Sequence, residues 1–143
     1  MNQYDIIKDK REEYFTVEEI IARFDEEYPN PMDAAVKIRR LKDIERLIQR
    51  EVIMTHVLPF DFDKAAHFID WGEQSEMYVY APYEDVYIYY MASRDAMSKN
   101  DTKRYTTYQT MYNNALITFQ AAYNRVHMPI RSYPSDRENL RQA

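Results

Sequence analysis

One glycine in 143 residues, Gly72, is the feature that most narrows what this chain can fold into. Glycine supplies left-handed turns, phosphate-cradling loops and close backbone approaches. A chain with one has no material for a P-loop or a dinucleotide fingerprint. It is equally unsuited to a sandwich or barrel made of many tight hairpins. The class that remains is helical, with prolines at 29, 31, 59, 82, 129 and 134 as punctuation. At this length one domain with its own core is expected.

Other bounds concern partners and compartment. No apolar run approaches the ~20 residues of a membrane span. The opening "MNQYDIIKDKREEYF" has neither an apolar core nor a cleavage site, so no secretory signal is expected. The absence of cysteine excludes disulfides and thiolate metal sites and suits a reducing cytosol. The net charge of −5 argues against a protein whose main task is to grip phosphate backbone, where basic surface supplies most of the affinity.

Along the chain, residues 1–15 show no sustained period and read as an arm. Thr16-Val17-Glu18-Glu19 is a capping box that opens a first helix, with Val17, Ile20, Ile21 and Phe24 on one face. Pro29 ends it near Tyr28. In "NPMD", Asn30 as N-cap, Pro31 at the first helical position and Asp33 in the first turn predict a second helix over about 31–56. Ile38, Leu41, Ile44 or Glu45, Ile48 and Val52 form its apolar face, and His56 lies near its negative end. Pro59 closes it. Residues 57–80 read as a long irregular connection with one short helix around 63–69. Within it, 77–80 is either a short strand or an extended lead-in to Pro82.

The stretch "YAPYEDVYIYYMASRD" (80–95) is ambiguous, since Val86–Tyr90 is rich in strand formers. At period two it would place large rings on both faces. At helical spacing it forms two adjacent stripes, Tyr83, Tyr87, Met91 and Val86, Tyr90, Met97. A helix starting near Pro82 is therefore predicted. After "KND" at 99–101, Asp101 or Thr102 caps a last helix. Its seam is Tyr105, Tyr108, Tyr112, Ala115, Phe119, Ala122 and Val126, and it ends at His127-Met128 before Pro129.

No constellation carries catalytic chemistry. Asp61, Asp63 and His67 resemble a metal-ligand spacing, but hard cations want more oxygen ligands and zinc more His or Cys. Loop polarity explains them better, and the helix dipole explains His56 and His127. Paired acids at 18–19 and 26–27 belong to a solvated face. No enzyme activity, cofactor or metal is expected. The fourteen tyrosines are expected to fill space between helices, with surplus rings such as Tyr89 and Tyr133 as interface anchors. In the tail, Arg131, Tyr133, Arg137 and Arg141 combine an aromatic anchor with charge-assisted donors, a composition suited to ordering on a partner.

Three stretches, "VEEIIARFDEEYPNP…KIRRLKDIERLIQREVIMTH", "APYEDVYIYYMASRDAM" and "RYTTYQTMYNNALITFQAAYNRVHMP", resemble in that order the head–tail adaptor (connector, head-completion) proteins of siphophages. The resemblance covers about 16–130. It is most specific at Ala81-Pro82-Tyr83, Tyr112-Asn113-Asn114 and Tyr123-Asn124-Arg125 with His127-Met128-Pro129. Val126 departs from the threonine of the family pattern, and the arm and tail are additions.

The resemblance implies an all-α bundle of about four helices in a ring, typically of twelve, beneath the portal protein of the virion neck. Such a ring extends the DNA channel and meets a stopper or tail-completion protein, and it assembles in the host bacterial cytoplasm. DNA would pass without specific binding, since −5 per subunit becomes roughly −60 over about twelve copies. The expected organisation is an arm (1–15), a helical adaptor domain (16–128) and a docking tail (129–143) that meets the portal. The rival expectation is a nucleic-acid-binding packaging or regulatory protein using the basic helix 31–56 through Arg39, Arg40, Arg46 and Arg50.

Overall fold

The computed structural model describes residues 8, 9 and 11–130. Its elements are β1 (Tyr14–Thr16), α1 (Val17–Glu27), α2 (Ala34–Glu51), β2 (Glu76–Tyr80), α3 (Asp85–Ser98) and α4 (Thr102–Val126). Two short 3-10 turns, Ile53–Thr55 and Ala66–Phe68, lie in the connection between α2 and β2. The domain is mostly helical, with a small two-stranded sheet, as the glycine-poor sequence requires.

Local chemistry sets the ends of α1. The Thr16 hydroxyl accepts from the Glu19 N–H at 3.3 Å, and Glu19 Oε1 accepts from the Thr16 N–H at 3.2 Å. This reciprocal cap satisfies two donors that a helix N-terminus leaves open. Val17, Ile20 and Phe24 are buried, as their spacing predicts.

The second helix is shorter than expected. Asn30 does not cap it: its amide donates to Asp25 Oδ1 and to the Tyr28 carbonyl, both at 2.9 Å, and its Oδ1 accepts from the Met32 N–H. That spends Asn30 and Pro31 on the α1–α2 loop, so the helix begins at Ala34 with Asp33 at the N-cap. It stops at Glu51, and the predicted last turn to His56 tightens into the 3-10 segment.

The last residues of the expected arm are part of the fold. β1 pairs antiparallel with β2 in the register Tyr14↔Tyr80 and Thr16↔Glu76, with an irregularity between. The Ala81 N–H extends the ribbon to the Glu13 carbonyl at 2.8 Å. Residues 77–80 are thus a strand, paired rather than merely extended.

The tyrosine-rich stretch is a helix, α3, and it is central. Val86, Tyr87, Ile88, Tyr90, Met91 and Ala92 are all buried, covering more than one face. A helix apolar on most sides belongs in the middle of a fold. α4 packs along one side of it, and α1 and α2 contact it as well. The Ala81–Pro82 bond is cis, and α3 begins at Asp85 rather than at Pro82.

The α3–α4 turn shows how a chain manages with one glycine. Asn100 takes the left-handed conformation (φ 57°) that glycine usually supplies after a helix. The Asp101 N–H reaches the Ala96 carbonyl at 2.9 Å and the Asn100 N–H reaches that of Met97 at 3.1 Å, a Schellman closure. Asp101 then caps α4 through its bond to the Arg104 N–H. Gly72 itself is not in a positive-φ conformation.

Candidate functional site

The most concentrated polar chemistry lies inside the bundle, around Glu45. This carboxylate is fully buried on α2. Its Oε1 accepts from the Tyr87 hydroxyl at 2.5 Å, and its Oε2 meets the Tyr78 N–H at 2.8 Å and His67 Nε2 at 2.7 Å. The His67 ring stacks on Tyr78 with centroids 3.7 Å apart. One carboxylate therefore joins α2, α3, β2 and the long connection. Both oxygens are committed and neither is exposed, so Glu45 holds the fold together and is out of reach of a substrate. The sequence carried one signal of it: at the position where "Ile44 or Glu45" faces inward, an acid competes with an apolar residue. Its partners, 22 to 42 residues away, left no local trace.

The imagined metal trio is taken apart by the same contacts. His67 turns inward to Glu45, Asp63 accepts from the Ala65 N–H at 2.9 Å, and Asp61 faces solvent. Among the described residues no group of three His, Cys, Asp or Glu is arranged to hold a metal ion.

A second knot closes the far end of the bundle. His56, buried, places Nδ1 2.5 Å from the Val52 carbonyl and Nε2 2.6 Å from Asn124 Oδ1. Its role is therefore to tie the end of α2 to α4, more than the dipole contact expected of it. His127 stacks on Tyr123 at 3.7 Å. The Val57 N–H donates to the Met128 carbonyl and the Ile130 N–H to that of Thr55, both at 2.8 Å, with His56 bridging Pro129. Tyr123, Asn124, His127, Met128 and Pro129 thus build this closure. Val57, Val126, Met128 and Ile130 are left more than half exposed around it. Val126, expected in the α4 seam, points outward, and Tyr123, absent from that seam, is buried in its place.

Burial raises the phenol pKa values, and this gives a testable alkaline limit. Tyr87 is held well above the ordinary 10.0, first by burial and then by the Glu45 charge. Burial likewise pushes Tyr80 and Tyr112 up to about 12 and raises Tyr14 and Tyr123. In each case the folded state keeps a proton that the unfolded chain releases near pH 10. These phenols therefore leave stability unchanged below about pH 10 and reduce it as pH climbs from there towards the folded values. An absorbance titration at the phenolate band should show Tyr14, Tyr80, Tyr87, Tyr112 and Tyr123 still protonated past pH 10 and ionising together on unfolding at higher pH. A single smooth titration of all fourteen at pH 10 would contradict this.

Of the expected partner-binding residues, Arg131, Tyr133, Arg137 and Arg141 lie outside the described residues. Tyr89 is half-buried rather than a free ring, because α3 is covered on most sides. It lines a shallow cleft of about 350 Å³ between α3 and α4, with Tyr83, Asp85 and Met111. Two surface features were not foreseen. One is the apolar rim around the His56 closure. The other is a groove of about 760 Å³ between α2 and residues 64–69, with Lys42, Arg46, Arg50 and Lys64 around it and Asp43 as its one acid. Of the basic helix, Arg46 and Arg50 reach this groove. Arg39 is exposed, and Arg40 is half-buried. No helix among the described residues is long and apolar enough to cross a membrane. No protein-family model, curated protein or solved structure matches this chain.

Proposed function

We propose that this protein is a structural subunit of a virion neck, a head–tail adaptor of the siphophage type. Copies form a ring, about twelve by the family resemblance, beneath the portal protein. The ring extends the DNA channel and presents its other side to a stopper or tail-completion protein. The observation that carries the reading is the His56 closure. One of the three most specific stretches of the resemblance, Tyr123-Asn124-Arg125 with His127-Met128-Pro129, supplies Tyr123, Asn124, His127, Met128 and Pro129 to it. That closure leaves an apolar rim where the chain continues into the arginine- and tyrosine-bearing tail. Rims of this kind, beside a segment rich in anchors and donors, fit a docking end. Glu45 and His67 are consumed by the core, which fits a scaffold rather than an enzyme.

The test is a truncation with two readouts. Pro129 and Ile130 are paired to residues 55–57, so the cut belongs after Ile130, not after Met128. Unchanged melting with lost assembly onto portal rings is expected. Assembly that survives the cut removes the tail as the strap. Failure of the full-length chain to join any portal ring counts against the adaptor reading itself.

One observation favours a second reading, a nucleic-acid-binding packaging or regulatory role. Arg39, Arg46 and Arg50 are spaced by seven and four along α2, which aligns them on one face with Lys64 nearby in the groove. Against it stands the chain's net charge of −5, which removes most of the counterion-release drive.

A further inference from the structure

We propose that the loop tip Phe60-Asp61 of one copy seats in the α2 groove of a second copy. Phe60 is 103% exposed, and no other large apolar side chain among the described residues is as exposed. It is presented rather than adrift. The Phe62 N–H closes a turn on the Pro59 carbonyl at 3.0 Å, and Phe62 packs inward on the core. A held aromatic loses little freedom on docking, which is what makes such side chains anchors. Asp61, at the crest of the same turn, adds an exposed carboxylate.

The groove offers the complement to both groups. Leu47, Met54 and Ile69 give it an apolar lining, and Ile69 is 67% exposed. Its lining carries four cations and one acid, Asp43, and even with Arg50 paired to Glu51 at 3.6 Å this leaves an excess of positive charge on a chain whose net charge is −5. Arg46 already lies over the Phe68 ring at 5.6 Å, so the cations are set beside apolar surface. Phe68 is the one aromatic ring of the lining and Arg46 covers it, so the groove suits an acidic, apolar-anchored protein segment better than stacked bases, which want open aromatic faces. The tip does not fill the groove of its own copy, because Phe60 stands in solvent while residues 64–69 form the groove wall. Opposite charge and matching apolar groups therefore point to another copy. Taking that copy as the neighbour in a ring rests on the adaptor reading above. A one-way contact that closes on itself makes a ring, and a reciprocal one stops at a dimer.

Because the chain has no cysteine, engineered thiols report the contact cleanly. Pro59→Cys, beside the tip and sparing both Phe60 and Asp61, in one tagged copy and Met54→Cys in another, mixed under mild oxidation, are expected to form a mixed disulfide. Neither should pair readily with Thr107→Cys on the exposed side of α4. The cross-link should be lost when Phe60→Ala is added to the tip copy. In sedimentation, Arg46→Glu with Arg50→Glu should abolish self-association, and adding Asp61→Lys should restore it, with circular dichroism unchanged throughout. Rings that form without the cross-link overturn the contact and leave the adaptor reading standing. Cross-linked dimers that never become rings support the contact and count against the ring. A monomer that binds duplex DNA through Arg46 and Arg50 at physiological salt overturns both.

Discussion

Replacing Glu45 with alanine is expected to cost about 3–5 kcal/mol of folding stability, the scale seen when one partner of a buried ionic network is removed. The carboxylate is fully buried and takes three hydrogen bonds, from the Tyr87 hydroxyl, the Tyr78 N–H and His67. Alanine would leave all three without an acceptor, at about 1–3 kcal/mol for each buried group left unsatisfied, less whatever rearrangement recovers. The loss is a large part of the roughly 5–15 kcal/mol a domain has in total. Tyr87→Phe keeps the ring but removes a hydroxyl that donates to Glu45 and accepts from the buried Val79 N–H at 3.0 Å, so about 2–4 kcal/mol is expected. Urea unfolding of the two variants measures both. A Glu45→Ala loss below ~1 kcal/mol would mean that water reaches the carboxylate. Because His67 ties residues 66–68 to α2 through this group, amide exchange in the long connection should rise in Glu45→Ala before the helices are affected.

Phe119→Ala is expected to cost a comparable 3–5 kcal/mol, for a different reason. Phe119 is fully buried, with ring centroids 5.4 Å from Tyr80, 5.9 Å from Tyr83 and 5.8 Å from Tyr123. It joins β2 and the start of α3 to α4. The substitution removes the transfer energy of the ring and leaves a cavity between rings that cannot collapse easily. Aromatic contact geometry adds roughly 0.5–1.5 kcal/mol beyond area. Ile117, two residues earlier and 61% exposed, is the control: Ile117→Ala should stay within about 0.5 kcal/mol. Equal effects at 117 and 119 would show that the register of α4 differs from the one described.

Helix positions were readable because their signals are local. Thr16 and Glu19 cap within four residues, Asp101 caps the N–H three residues on, and the apolar spacing of Val17, Ile20 and Phe24 is the helical period itself. Even so, Asn30 and Pro31 look like a helix start and are not one, since Asp25 and the Tyr28 carbonyl compete for the Asn30 amide. The α4 seam was legible only in the middle. Tyr112, Phe119 and Ala122 are buried, whereas Tyr105 and Tyr108 are half-covered and Val126 is exposed. A heptad seam assumes one straight partner along the whole length. α4 has 25 residues against 14 in α3, so its last turns face the β2 and His56 region instead, and Tyr123 turns inward there.

The sequence by itself determined that the chain is helical, where its helices lie and that glycine-built ligand loops are missing, because caps, period and composition act over a few residues. Tertiary structure alone decided that Glu45 meets His67 and Tyr87, that His56 meets Asn124 across 68 residues, that Phe60 stands in solvent and that cations line a groove against α2. Those pairings depend on how elements cross and on which rings displace one another in the core. That is a property of the whole packing, which no local spacing encodes.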